Sequence, residues 1–283
     1  MSMDLTVVIV PLVGGATLTR CVGDFQAQGV KVIVVGDAAR DASCAPAQFI
    51  AAADMAVPAR RLIGLRAAQT RFVAMVEDTC GPRASWAQAC LSALSEDGVV
   101  AAGGPIAISM DLPPQLRALG LCEYGRFGEV AERRSVGVLP GANFALDLSA
   151  IDTAGWSDAD LVDNALFATP CAAGRLVMEP AMGVEYRAAH ADGAALSTRF
   201  HHGRIYGAGQ TAGLGLAQRL IHACLATLAP AVLSARTLAV APPALRASPA
   251  TLAWAAGMHL AWGVGEVLGK AAGDPGSSRG RWV

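Results

Sequence analysis

Charge is scarce in this sequence. Asp, Glu, Lys and Arg make up 16% of the 283 residues, against roughly 25% in ordinary soluble domains. What charge there is nearly cancels, since 22 basic and 23 acidic residues leave a formal net charge of -1. A protein that grips nucleic acid through phosphates needs a basic excess, so that class is excluded. Cysteine builds no framework. The 7 cysteines are odd in number and widely spaced, with no CxxC pair, which speaks against a disulfide scaffold or a zinc site and for reduced, mostly buried thiols in a cytosolic compartment. The first turn reads Pro11-Leu12-Val13-Gly14-Gly15-Ala16, and no GKS or GKT occurs. The dinucleotide fingerprint GxGxxG and the P-loop are therefore both missing. At the amino end Asp4 stands where a signal peptide needs Lys or Arg, and the short β-branched run after it reads as a strand instead of a targeting segment. No internal repeat is visible.

Apolar residues are abundant. The hydrophobic fraction is 53% and the mean hydropathy +0.42, which excludes intrinsic disorder. Either the core is very large or some apolar surface meets something other than water. The length allows one large domain or two of ordinary size.

Leu5–Val10 and residues 30–35 are continuous aliphatic runs closed by turn residues, the pattern of buried parallel strands. Between them Leu18, Cys21, Val22 and Phe25 recur at helical spacing, giving a β-α-β unit. The alternation continues with a helix over 61–70, a strand over 71–76, a helix over 84–94 and a strand over 99–102, so an α/β domain with a mostly parallel sheet is expected. The rhythm lapses over 111–139, read as a variable insertion with helical pieces around 116–127. A turn at 140–142 feeds a short strand, 161–173 reads as an amphipathic helix, and Arg175–Met178 as a strand.

From about Ser197 the composition changes. The basic run Arg199-Phe200-His201-His202-Gly203-Arg204 reads as a solvated basic turn, and an Ala- and Leu-rich tail follows it. Residues 247–265 contain no Lys, Arg, Asp or Glu, a stretch long enough to span a bilayer, whereas the uncharged stretch 223–235, broken by Pro230, is not. Pro249, Gly257, His259 and Gly263 weaken the longer stretch as a spanning helix. A helix lying in the interface or packed on the domain stays open. Trp86, Trp156, Trp254 and Trp262 read as packing or interface residues, and Cys80 and Cys90 as core thiols.

Open α/β sheets bind ligands at the carboxyl ends of their strands. Three acidic positions fall there: Asp37, the pair Glu77-Asp78, and Asp163 after the Pro140-Gly141-Ala142-Asn143 loop. Any one of them alone reads as a cap or a solvated loop residue. Their joint placement on one edge is the informative part.

These segments resemble, in order, the motifs of the family 2 glycosyltransferases of the GT-A fold. VVIVPL is similar to the family's opening strand, and KVIVVGDAARDAS to its "VIVVDDGSxD" segment. ARRLIGLRAAQTRFVAMVEDTCGPRASW resembles "ARNxGLxxAxGxxVxxLDxDxxPxxxW", VLPGANFALDLSAI resembles "GANxAxRRxAL", and DLVDNALFATPCAAGRLVMEP resembles "xEDxxLxxRLxxAGxxxxxxP". The tail LAWAAGMHLAWGVGEVLGKAAG is similar to the apolar ending of membrane-attached members.

The resemblance implies a GT-A catalytic domain over 1–198, with a nucleotide-binding half at about 1–105 and an acceptor half at about 106–198, followed by apolar helices over 199–283. It implies an inverting transfer from a nucleotide sugar, a UDP-sugar in the first instance, to a saccharide or lipid-linked acceptor, in the cytoplasm at the inner face of the cell membrane, with membrane contact through 199–270. Asp37 falls on the base-binding aspartate, with Pro11 and Leu12 beside it, and Arg61 and Gly64 fall beside the diphosphate. Glu77, Asp78 and Thr79 fall on the DxD motif that holds Mg2+ or Mn2+, Asp78 also counting toward the nucleotide. Gly141 and Asn143 fall on the acceptor loop, and Asp163 on the catalytic base. The chain departs from the pattern at Leu62 (family Asn), Thr79 (second Asp) and Val162 (Glu). Thr79 removes a carboxylate from the usual ligand position, which lowers the expected metal affinity. The alternative is a weakened or inactive relative acting as a nucleotide-sugar-binding or scaffold protein in glycan assembly.

Overall fold

The computed structural model describes residues 3–41, 47–161, 167, 174–187 and 194–278. Contacts divide the chain into two units, Met1–Ser109 with Phe127–Ala189, and Met110–Arg126 with His190–Val283.

The first unit carries both sheets. β1 (Leu5–Val10), β2 (Lys31–Gly36), β3 (Gln48–Ala51) and β4 (Phe72–Glu77) are parallel neighbours. The eight-stranded sheet runs β3-β2-β1-β4-β9-β6-β10-β8, with β6 at Val99–Gly103, β8 at Arg134–Val136, β9 at Asn143–Asp147 and β10 at Arg175–Met178. β9 is antiparallel to both β4 and β6, and β8 is antiparallel to β10. The expected mostly parallel α/β sheet is present. All six residues of β1 are buried, which is why the strand reads as an unbroken aliphatic run rather than an alternation. The short strand expected after the 140–142 turn is β9, in the interior of the sheet. Its Phe144 is fully buried against a core that includes Val8, Val35, Met75, Leu146, Trp156 and Leu176, a burial that stabilises by roughly 2–3 kcal/mol.

Helices flank the sheet. α1 (Gly15–Gln26) buries Leu18, Cys21, Val22 and Phe25, and the Phe25 ring meets Trp86 edge-on at 5.0 Å. Gly29, at φ 78, turns the chain into β2 in a conformation that glycine adopts without strain. α2 is the single turn Ala38–Asp41. α3 (Val57–Ala67) begins and ends about four residues earlier than expected because Pro58 occupies its first turn, where a missing N–H costs nothing. α4 is Trp86–Leu94. Most of the helix expected over 161–173 lies outside the described residues. A second sheet, β5-β11-β7 (Cys80–Pro82, Val184–Tyr186, Ile106–Ile108), follows directly on the end of β4. The Arg187 N–H donates to the Thr79 carbonyl at 2.8 Å, fixing the far side of the acidic triplet.

The second unit is helical. α5 (Pro114–Tyr124), from the stretch read as an insertion, groups here with α6 (Ala194–Gln210), α7 (Leu216–Ala226), α8 (Ala229–Val240), α9 (Pro243–Arg246) and α10 (Pro249–Ala272). The division therefore differs from the expected 1–198 and 199–283: residues 110–126 leave the acceptor half, and the boundary falls near 190. Leu119 and Ala118 of α5 are buried with Ala255 and Met258 of α10, an apolar contact that outweighs the sequence distance between them. Residues 199–204 are not a turn; they are interior to α6.

α6 and α10 run side by side in the same direction through glycines. A methyl on Gly203 or Gly207 would collide with the backbone at Trp262 or Glu266, and one on Gly265 or Gly269 with the backbone at Phe200 or Arg204. The two G-x-x-x-G pairs thus let the backbones touch, the small-residue packing familiar between membrane helices. Ser248 caps α10 by accepting the Thr251 N–H, and Gly273, at φ 66, ends it. The stretch 247–265 lies within this helix and its cap, yet no single described helix is long and apolar enough to cross a membrane; among the described residues only the α7–α8 pair meets length and composition together, across a 43° bend.

Candidate active site

Because β1, β2 and β4 are adjacent and parallel, Pro11, Asp37 and Glu77-Asp78 emerge at the same sheet edge. The loop after β1 is fastened there by Asp78. Its Oδ1 accepts the Leu12 N–H at 2.8 Å and its Oδ2 the Gly14 N–H at 2.6 Å, while the Val13 N–H lies 3.3 and 3.2 Å from the two oxygens. Asp78 is 2% exposed. Burial pushes its carboxyl above the ordinary value, against the three backbone donors and the Arg40 charge, which pull it down.

A second carboxylate, on α2, braces the neighbouring turn after β2. Asp41, 1% exposed, accepts the Asp37 N–H at 2.9 Å and is held by Arg40 Nε at 2.9 Å and Nη2 at 3.1 Å. Gly14 and Gly36 have no side chain because a methyl on either would strike the Asp41 side chain. The half-buried Asp37 accepts the Ala39 N–H on Oδ1 at 2.9 Å. Two guanidinium groups converge on the Pro11 carbonyl, Arg40 Nη2 at 3.3 Å and Arg60 Nη1 at 3.5 Å. Arg60 Nε is buried and makes no hydrogen bond. A donor stripped of water in this way is costly unless something else satisfies it.

Arg61 forms the hub of the neighbouring cluster. Buried at 3% exposure, it donates to the carbonyls of Leu161 at 3.1 Å and Gly141 at 3.1 Å, and pairs with Glu77 Oε1 at 3.4 Å. One side chain thereby joins α3, the end of β4, the Pro140-Gly141 turn and the 3-10 turn at Asp158–Leu161.

The structure thus brings Pro11, Asp37 and Asp78 together in one cluster and Arg61, Glu77 and Gly141 in another. Three residues do something else. Gly64 is where α3 crosses β1, and a Cβ there would collide with Val8. Thr79 is 1% exposed, its hydroxyl 3.9 Å from Cys80 Sγ. Asn143 does not line an acceptor loop: it is fully buried, donating from Nδ2 to Gly104 O at 3.1 Å and Met182 O at 2.8 Å while Oδ1 accepts Trp86 Nε1 at 2.9 Å. Asp163 lies outside the described residues. Arg40, Asp41 and Arg60 are absent from the sequence-based set. Their signal was present in the Arg-Asp pair after Asp37 and the double arginine opening the "RNxG"-like helix.

Among the described residues the acidic triplet does not make a cation site in this arrangement. Glu77 faces Arg61, both Asp78 oxygens face backbone N–H groups, and Thr79 is covered. Among the described residues no group of three or more His, Cys, Asp or Glu is placed to hold a metal. Cys21, Cys80 and Cys90 are buried, and burial raises the thiol pKa of each, so they are core residues rather than nucleophiles. Cys224 is exposed.

No family model matches the sequence, and no curated protein matches it. Among solved structures the chain is similar to a crystal structure of GalNAc-T7 with UDP, GalNAc and Mn2+, at 15% identity and a TM-score of 0.46, over 64% of this chain and 43% of that one. The chain thus spans less than half the length of that protein.

Proposed function

We propose that the chain is a nucleotide-sugar-dependent glycosyltransferase of the GT-A type, with a UDP-sugar donor and a saccharide or lipid-linked acceptor. The observation behind this reading is the convergence at the carboxyl edge of β1, β2 and β4. There a loop pinned by Asp78, the half-buried Asp37 and the guanidinium groups of Arg40 and Arg60 surround one short stretch of backbone. A base and ribose need a hydrogen-bonding acid beside a fixed loop, and a diphosphate needs donors in forked geometry. Arg60, with its unpartnered Nε, is the residue we assign to the diphosphate. Arg61 acts behind it as a positioning residue that ties the donor side to Gly141 and Leu161.

In the transfer itself the acceptor oxygen bonds to the anomeric carbon as the bond from that carbon to the diphosphate oxygen breaks. The acceptor proton passes to a carboxylate, and the sugar inverts. The family resemblance assigns that carboxylate to Asp163. No step is routed through a metal, because the triplet as folded presents no open carboxylate pair.

Calorimetric titration with UDP and with GDP, with and without Mn2+, tests the donor site, and a screen of UDP-sugars for hydrolysis or transfer tests the reaction. UDP binding that is lost in Asp37→Ala, with turnover lost in Asp163→Ala, is the expected result. Absence of binding by either nucleotide refutes the proposal. A second reading, a relative that binds nucleotide sugars without turning them over, is favoured by the burial of Thr79 and the engagement of Asp78. UDP binding without turnover of any donor would select it.

A further inference from the structure

We infer that the donor site works without a divalent cation, and that the guanidinium groups of Arg40 and Arg60 bring to the diphosphate the positive charge a metal would carry. The inference rests on the donor reading proposed above and adds to it what balances the leaving group. A cation held for that purpose needs several oxygen ligands with free lone pairs facing one point. The acidic triplet offers no such set among the described residues. The two Asp78 oxygens lie 2.6–3.3 Å from the N–H groups of Leu12, Val13 and Gly14, four contacts that use up the acceptor positions of a carboxylate. Turning Asp78 toward a metal would strip those three N–H groups of their acceptor and release the loop after β1. Glu77 faces the buried Arg61, and Thr79 is covered.

The arginines fill the gap in charge. Where the motif "ARNxGL" has Ala this chain has Arg60, and where the motif "DxD" has its second Asp it has Thr79. One negative charge is missing from the donor edge and one positive charge has been added to it. Arg40 and Arg60 meet at the Pro11 carbonyl, 3.3 and 3.5 Å away, and a neutral carbonyl offsets the charge of neither. Asp41 balances Arg40, but among the described residues no carboxylate pairs with Arg60. Both keep donors in reserve: Nη1 of Arg40 and Nη2 of Arg60 enter no hydrogen bond among the described residues. Forked guanidinium donors fit phosphate oxygens, and arginine and metal clamps are alternative ways to stabilise a departing phosphate. As the bond from the anomeric carbon to the diphosphate oxygen breaks, its electron pair stays on that oxygen. The reserve donors are there to receive the new charge.

The test is calorimetric titration of the full-length chain with UDP in EDTA and in Mn2+, repeated in Arg40→Gln and Arg60→Gln, with uridine as the companion ligand that lacks the phosphates. Expected is a wild-type UDP affinity in EDTA within about twofold of that in Mn2+, and a fall of about tenfold or more in each variant that Mn2+ does not restore. Uridine should bind wild type and variants alike, which a merely structural role for the arginines would not allow. A UDP affinity that rises about tenfold or more when Mn2+ replaces EDTA would reveal a cation site, overturning the inference while leaving the transferase reading in place. Uridine affinity that falls in step with UDP affinity in both variants would also overturn it, because the arginines would then act by shaping the loop. Absence of UDP binding in both conditions would refute the donor reading itself, and the inference with it.

Discussion

Arg61 shows how much one buried cation can hold. Its guanidinium serves two carbonyls and a carboxylate from three separate segments, so Arg61→Met leaves Glu77 buried beside an apolar side chain. That loss is expected to cost about 3–5 kcal/mol in urea unfolding, and Arg61→Lys to recover little of it, since an ammonium lacks the planar fork. Arg60 makes the opposite prediction. With one long contact to Pro11 and an unpartnered Nε, Arg60→Gln should leave the unfolding midpoint nearly unchanged while weakening UDP binding about tenfold or more, an effect of charge-assisted hydrogen-bond size. A wild-type affinity in that variant would remove Arg60 from the site. At this scale the acids at strand ends were legible, because position in a β-α-β pattern is enough to place them at the sheet edge. Their tasks were not. Whether a carboxylate faces a ligand or a row of backbone N–H groups, as Asp78 does, depends on loop geometry that residue identity does not encode. Asn143, read as facing an acceptor, instead satisfies Trp86 and two carbonyls inside the sheet.

Among the elements, the parallel strands and α1 were the most legible, since burial on both faces writes itself as aliphatic runs and a helix with one buried face as a 3.6-residue period. α5 was read as a helical piece of an insertion with no partner named, because an apolar stripe records that a helix is covered, not by what; the structure packs it on α10. Two predictions belong here. Gly207→Leu and Gly265→Leu each force α6 and α10 apart against backbone, and each is expected to destabilise the helical unit by about 3 kcal/mol, toward the upper end of overpacking costs, while Gly209→Leu, which meets nothing nearby, should be tolerated; thermal unfolding followed by circular dichroism separates them. The second concerns His259, 2% exposed on α10, with Nε2 2.8 Å from Thr237 Oγ1 and 3.6 Å from Cys122 Sγ. Burial, with Arg199 adding to it and Glu123 opposing, holds its pKa down to about 4 from 6.5. The unfolded chain therefore binds a proton that the folded one refuses between those values, so stability is full above about pH 6.5 and declines as pH falls toward 4. A melting temperature that drops over that window, with the drop reduced in His259→Gln, is expected.

At the scale of the whole molecule, the composition left open a very large core or apolar surface beyond it, and the exposed leucines of α7 are of the second kind. The division of the chain was harder to read, because a unit assembled from 110–126 and 190–283 leaves no composition boundary at its first segment. Truncation makes the point testable. A chain ending at residue 189 keeps every described strand but strips α5 of Ala255 and Met258, so it is expected to aggregate, whereas the same fragment with 110–126 replaced by a short Gly-Ser linker should stay soluble; turbidity and gel filtration decide it. The same arrangement sets a timetable during synthesis. Leu119 leaves the ribosome well before Met258, its partner in the core, and at about 5–20 residues per second the wait is on the order of ten seconds. For that interval the nascent chain displays an uncovered apolar helix in the midst of a growing sheet, and a chaperone or a nearby bilayer has time to reach it first.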